Sequence, residues 1–268
     1  MLKQSLSRPL WLSRIQTRFP SLFGLRLRKA KSLHFVSING QRFKRVQLAD
    51  SAIAADIEHN LEVFHADDIF PRLVTCYEQE IWVDFIAGHR PQVVTEQVVR
   101  QVADFYATIY AKRAELVDTA DTPFPARLAQ DLRFLNQVGI LSDLLYERLC
   151  LAVEPLTPQQ VWLGFDYTDP VLKNFVASQK EGKLYAVDVE GIADDQLIGM
   201  GTIKACVRWL GEFQPLFYEH LAAQGASDFQ PYMPFVELCF LAKWTKLNFF
   251  EGKKKKIDAR VFERFCGS

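Results

Sequence analysis

The sequence predicts an α+β protein, a small antiparallel sheet followed by a mainly helical part. Three stretches carry that prediction. Residues 33–88 hold short β-prone runs separated by turn formers, among them Asn39-Gly40. From Thr95 onward, apolar residues recur at helical spacing, with Val98, Val102, Phe105 and Ile109 on one side. Between 161 and 191, apolar runs alternate with acidic loops and a turn around Gly182, the pattern of a hairpin with carboxylates at its edges.

Composition narrows the class. A chain of 268 residues suits one large domain or two modest lobes sharing a cleft. Apolar content of 49% and charged content of 24% are ordinary for a soluble globular protein. No apolar run approaches the roughly 20 residues of a membrane span. Cys76, Cys150, Cys206, Cys239 and Cys266 are scattered and never form a CxxC pair. That spacing argues against a zinc site or a disulfide framework and for a reducing, cytoplasmic setting.

A formal net charge of zero hides an asymmetry: the first 49 residues hold eleven Lys and Arg and no Asp or Glu. Leu2, Leu6, Leu10, Trp11 and Ile15 lie among these cations as in an interfacial helix, but Pro9 and Pro20 interrupt it. A solvated basic leader is the simpler expectation. Together with the lysines at 253–256, it makes an anionic membrane surface an expected partner of the chain ends, at the inner face of the membrane. The basic patches lack interleaved aromatics, so no nucleic-acid partner is expected.

Taken in order, residues 22–28 suit a first strand, 33–38 a second, and 42–48 its return across Asn39-Gly40. Asp50-Ser51 supplies a cap for a helix with Ile53, Ile57, Leu61 and Phe64 on its inward stripe. A strand opening at Ile69 and a strand from Glu80 into Gly88 follow. A long helix from Thr95 to about Leu116, helices across 128–153 broken near Gly139, and apolar helices over 203–210 and 235–249 complete the chain, with Asp194-Asp195 as the expected cap of the first of these last two. The expected organisation is a basic leader at 1–21, a sheet lobe with one helix at 22–88, a helical lobe at 89–250 and a basic tail at 251–268.

The chemistry resides in the 161–191 hairpin. Asp169 and Asn174 are five positions apart across one loop, and Asp188 ends the last strand, with Glu190 two residues on. A carboxylate can accept a hydroxyl proton, while an amide oxygen and a second carboxylate can hold a hard cation such as magnesium. The same residues populate any polar turn, so a hairpin without function is the plain alternative.

This spacing resembles the catalytic loop and metal-binding aspartate of the kinase-like phosphotransferases, particularly the branch with aminoglycoside, choline and lipopolysaccharide-sugar kinases. Val187-Asp188-Val189-Glu190 is similar to the third motif of that branch, and Glu80-Ile81-Trp82-Val83-Asp84-Phe85-Ile86-Ala87-Gly88 is similar to its hinge. Two positions depart from it: Tyr167 stands where histidine is usual, and no glycine-rich lid precedes the first hairpin.

The resemblance implies a two-lobe protein-kinase-like fold, ATP and Mg2+ as cofactors, and a small-molecule or glycolipid alcohol as acceptor. By the same resemblance Asp169 is the base, Asn174 and Asp188 hold the metal, and Glu190 assists a second metal or the acceptor. Lys44 grips the α- and β-phosphates, with Arg45 as its competitor should the register shift. Glu58, or else Glu62, pairs with that lysine. Adenine meets the main chain of Asp84 and Ile86, and Ser32, in the loop Lys29-Ala30-Lys31-Ser32, donates to phosphate. A pseudokinase that binds a nucleotide or partner without turnover, and a membrane-surface adaptor, are the rival expectations.

Overall fold

The computed structural model of the chain describes residues 30–226, 229–253 and 257–267. The leader, the strand expected at 22–28 and the lysines at 254–256 lie outside them.

β1 (Ala30–Ile38) and β2 (Gln41–Leu48) form a hairpin. Asn39 and Gly40 both take positive φ, 50° and 80°, as the tightest twisted hairpin turn requires. β3 (Leu73–Tyr77) and β4 (Glu80–Asp84) complete a four-stranded antiparallel sheet of order β1-β2-β4-β3. α1 (Ser51–Val63) crosses between β2 and β3, with the Asp50 carboxylate accepting from Ile53 N at 3.0 Å as its cap. It buries Ala54, Ile57 and Leu61 against the sheet, the stripe expected from the sequence.

Two smaller sheets organise the second lobe. β5 (Gly88–His89) pairs with β8 (Phe175–Ser178), which pairs with β9 (Leu184–Ala186). β6 (Ala114–Asp118), β7 (Gln160–Tyr167) and β10 (Ile192–Leu197) form the other, in the order β10-β7-β6. Around them pack α2 (Glu96–Lys112), α3 (Phe124–Gln137), α4 (Asp143–Leu156), α5 (Met200–Ala205), α6 (Gln214–Ala223) and α7 (Met233–Phe250). The architecture is a two-lobe α+β fold, sheet-rich first and helical second, as expected. Among the described residues no helix is long and apolar enough to cross a membrane.

Four local expectations are corrected. The long helix ends at Arg113, whose backbone turns extended, and residues 114–118 pair with β7 instead. So short an apolar run fits either period, and the open edge of β7 decides it. Asp194 and Asp195 cap nothing; they lie in β10, and both carboxylates face Arg113. The strand expected from Ile69 begins at Leu73, because Pro71 has no donor and the Ile69 carbonyl is already taken by Ala186 N at 3.0 Å. The expected loop before the first hairpin is the start of β1, with Ala30 paired to Leu48.

Segment 67–69, just after α1, is tied to the second lobe several times over. Besides the Ile69 bond, Lys183 Nζ donates to the Asp67 carbonyl at 3.0 Å and Tyr185 Oη to Asp68 Oδ2 at 2.7 Å. Lys112 Nζ lies 2.7 Å from the Asp67 carboxylate. An aromatic cluster fills the junction: the Tyr167 ring is packed by Phe105 at 5.2 Å, Phe175 at 5.8 Å and Phe70 at 6.0 Å. The Phe105 ring meets it edge-on, a geometry that adds about 0.5–1.5 kcal/mol beyond the buried area, and the other two are tilted.

Candidate functional site

β7 delivers the loop that follows Tyr167, and a short turn at Leu172–Asn174 returns the chain into β8. The β8–β9 hairpin then brings Val187 and Asp188 back alongside, with Val187 N donating to the Asn174 carbonyl at 2.8 Å. Residues distant in sequence therefore meet. Asn174 Nδ2 lies 3.1 Å from Asp169 Oδ2 and 3.1 Å from Asp188 Oδ2, and 2.9 Å from the Asp169 carbonyl. Two carboxylates thus converge on one buried amide. The amide nitrogen is what faces the carboxylates here; by residue type, the Asn174 amide oxygen and the Asp188 carboxylate are hard donors of the kind magnesium takes.

Lys44 completes the cluster from the sheet. Its ammonium donates to the Val187 carbonyl at 2.6 Å, directly beside Asp188. Burial pushes its pKa below the usual lysine value, while the carboxylates of Asp188 and Glu190 pull the other way. Glu190 sits in the turn Val189–Gly191, within electrostatic reach of Lys44 and Tyr167. Of the three cations of β2, the neighbours Lys44 and Arg45 have opposite surroundings. Arg45 points to the outer face and pairs with Glu80. Residues paired across the ladder share a face, so Lys44 stands with Phe35 and Val83, and Val46 with Leu33 and Ile81. Half-exposed Leu33 and Phe35 therefore give the lysine face an apolar roof.

Three expected positions fall elsewhere. Glu58 lies against β3 beside the Cys76 thiol, which burial and that carboxylate push up to about 11, while the Lys44 ammonium is on the Val187 carbonyl. One step past Ile57 on the helix is a rotation of about 100°, enough to turn it off the inward stripe. Glu62 is exposed. Ser32 pairs with Gln47, on the face opposite Lys44, and its hydroxyl donates to Gln47 Oε1 at 3.4 Å. Asp84 has its amide on the Arg72 carbonyl at 2.9 Å and its carboxylate against Arg72. Ile86 follows in the connection to β5. A groove of about 700 Å³ flanks this hinge, lined by Gln41, Arg42, Asp84, Ile86 and Gln179 among others, and none of Lys44, Asn174 or Asp188 borders it.

The loop rests on Tyr167, which the sequence marked only as a departure, and on Lys204 and Trp209, to which it drew no attention. Tyr167 is fully buried, donates to the Asp188 carbonyl at 3.1 Å and accepts from Tyr106 Oη at its own carbonyl at 2.8 Å. The tyrosine in the usual histidine position thus ties the two halves of the site together. Gly191 has no Cβ for the same reason: one would stand 2.5 Å from the Tyr167 ring. On the other side, Lys204 of α5 pairs with Asp169 Oδ1 and donates to the Thr168 carbonyl at 3.0 Å. Trp209 Nε1 donates to the Pro170 carbonyl at 2.6 Å.

Asp166 anchors the start of the loop. It is wholly buried, and its Oδ2 accepts from Gly201 N at 2.9 Å. Burial pushes its carboxyl up to about 7, against the pull of that main-chain bond. The folded state therefore holds the proton more tightly than the unfolded state. Its stabilising effect is fully present below about pH 4 and is lost as pH rises through about 7. Asp166→Asn keeps an acceptor for Gly201 and carries no charge. It should gain on wild type between about pH 4 and pH 7, by at most about 4 kcal/mol. Melting curves across that range check this, and a constant difference between the two proteins rejects it.

No protein-family model matches the sequence, and no curated protein matches it. Solved structures do match the fold. A choline kinase from Streptococcus pneumoniae superposes with TM-score 0.58 at 12% identity, covering 96% of this chain and 98% of that one. A macrolide 2'-phosphotransferase from Brachybacterium faecium gives 0.59 at 12% identity, over 87% and 86% of the two chains. A thermostable mutant of the aminoglycoside phosphotransferase APH(4)-Ia, in ternary complex with AMP-PNP and hygromycin B, gives 0.54 at 14%, over 95% and 96%.

Proposed function

We propose, for a chain with the fold of the kinase-like phosphotransferases, that it transfers the terminal phosphoryl group of ATP to an alcohol. One observation carries the reading: Asp169 and Asp188, nineteen positions apart, meet on the side chain of Asn174, with Lys44 beside them. Structural turns need no such meeting.

In this reading Asp169 receives the acceptor hydroxyl, orients its oxygen toward the γ-phosphorus and takes its proton. Lys44 faces the α- and β-phosphates; phosphate charge there offsets the desolvation that now disfavours its ammonium. Asn174 and Asp188, with Glu190 close by, hold magnesium, which when bound neutralises charge on the β- and γ-oxygens. The main chain of Asp84 and Ile86 meets adenine beneath the roof of Leu33 and Phe35. Tyr167 keeps the Asp188 backbone fixed to the loop that carries the base.

The acceptor is a small molecule or a lipid-linked sugar, and a sugar of the lipopolysaccharide-core type is the favoured one. The cation excess of the first 49 residues and the lysines at 253–256 support an acceptor presented at an anionic membrane surface, on its cytoplasmic side. Calorimetry with a nonhydrolysable ATP analogue, with and without magnesium, should show binding that needs the metal. Phosphate transfer from labelled ATP to a panel of sugars and lipid-linked sugars should follow. Metal-dependent binding without transfer to any acceptor or to water would favour a pseudokinase, and no binding at all would sink the reading.

A further inference from the structure

The ammonium of Lys204 touches the proposed base directly, and the reaction sketched above leaves it unused. It stands on α5, is 8% exposed, and touches the loop twice, at Asp169 Oδ1 and at the Thr168 carbonyl. Its neighbours on the helix, Gly201, Thr202, Ile203 and Ala205, are all buried. An apolar side chain at 204 would suit such a helix better on stability grounds alone. Burying an ammonium costs several kcal/mol of hydration, and a buried ion pair rarely does better than apolar packing of the same volume.

What the lysine does provide is placement. The two oxygens of Asp169 are held separately, Oδ1 by Lys204 and Oδ2 by Asn174. A carboxylate held at both oxygens has lost its freedom to rotate about the last side-chain bond. A carboxylate oxygen can accept more than one hydrogen bond, so the restraint is compatible with an incoming hydroxyl. α5 is itself fixed to the same loop three residues earlier, where Gly201 N meets Asp166, and the chain beyond it meets Pro170 through Trp209. Gly201 permits this approach, since a Cβ there would stand 2.2 Å from the Tyr167 carbonyl. The segment 201–209 therefore runs along the loop 166–170 as a splint.

We infer that Lys204 is a positioning residue for phosphoryl transfer, setting the orientation of Asp169 toward the acceptor from a helix outside the catalytic hairpin. This rests on the phosphotransferase reading above. Lys204 acts through Asp169, so its loss should lower turnover and spare nucleotide binding, which belongs to Lys44, Asn174 and Asp188.

The test uses the full chain carrying Lys204→Met or Lys204→Arg, with magnesium-dependent ADP release from ATP as readout, water serving as acceptor and a sugar panel beside it. Lys204→Met should lower kcat by roughly a hundredfold, with KM for ATP within about twofold of wild type. Lys204→Arg, which keeps charge and donors, should recover to within about tenfold of wild type. A crystal structure of Lys204→Met should show the Asp169 carboxylate turned away from Asn174. Unchanged kcat overturns the inference. So does a fall in kcat, ATP affinity and melting temperature together that arginine does not relieve. If the wild type releases no ADP, the phosphotransferase reading fails and takes the positioning role with it; a wild type that releases ADP and a Lys204→Met crystal structure with Asp169 still seated on Asn174 overturn the positioning role alone.

Discussion

Asp188→Ala is expected to lower magnesium-dependent ADP release by about a thousandfold or more while the protein stays folded. The side chain is only partly buried, and the hydrogen bond it accepts from Asn174 accounts for about 1 kcal/mol of stability. The backbone carbonyl that receives Tyr167 remains, so the loop keeps its path. In the role proposed for it, Asp188 reaches both affinity and chemistry, so metal-dependent binding of the ATP analogue should weaken along with turnover. Calorimetry and a melting curve on the same preparation separate these effects. Normal turnover would remove Asp188 from the metal site.

The second large effect is expected at Asp169→Asn. The amide keeps one oxygen, enough for one of the two donors Lys204 and Asn174, and cannot take a proton, so kcat should fall by about 10² to 10⁴. Nucleotide affinity should hold, because the groups assigned to the triphosphate are untouched. That contrast with Asp188→Ala is the useful part: one variant loses turnover alone, the other loses turnover and metal-dependent binding. Equal loss of both in the two variants would mean that the roles given to the two carboxylates are wrong.

Much of the fold was legible because its signals are local. Asn39-Gly40 names a hairpin turn with no help from the rest of the chain, and the Ile53, Ile57, Leu61 stripe names a helix and its buried side. The meeting of Asp169, Asn174 and Asp188 was legible through loop spacing, since a five-residue step and a short hairpin leave few ways to return. Lys44 over Arg45 follows from the register with β4, a long-range pairing that alternation alone could not fix.

The misses share the opposite cause. Glu58 and Ser32 were assigned by position in a resembled pattern, and a fraction of a helical turn or one step along a strand reverses where a side chain points. Lys204 lies thirty-five positions from Asp169, in a short helix with no motif, and only a folded chain shows them in contact. A single lysine inside an otherwise apolar stretch, Gly201-Thr202-Ile203-Lys204-Ala205, was the available hint. Tyr167 looked like a defect at the histidine position, yet its hydroxyl reaches the backbone of Asp188.

Segment 67–69 has a mechanical implication. With Asp67, Asp68 and Ile69 fastened to α2 and β9, and the covalent hinge at 85–88 nearby, the lobes are joined along a line, not at a single swivel. A joint of that kind favours opening about its line, like the covers of a book, with the widest parting at the edge away from the spine. A ligand would then enter and leave at the fore-edge. Loosening the spine, as by Tyr185→Phe, would add a twist that the native binding forbids.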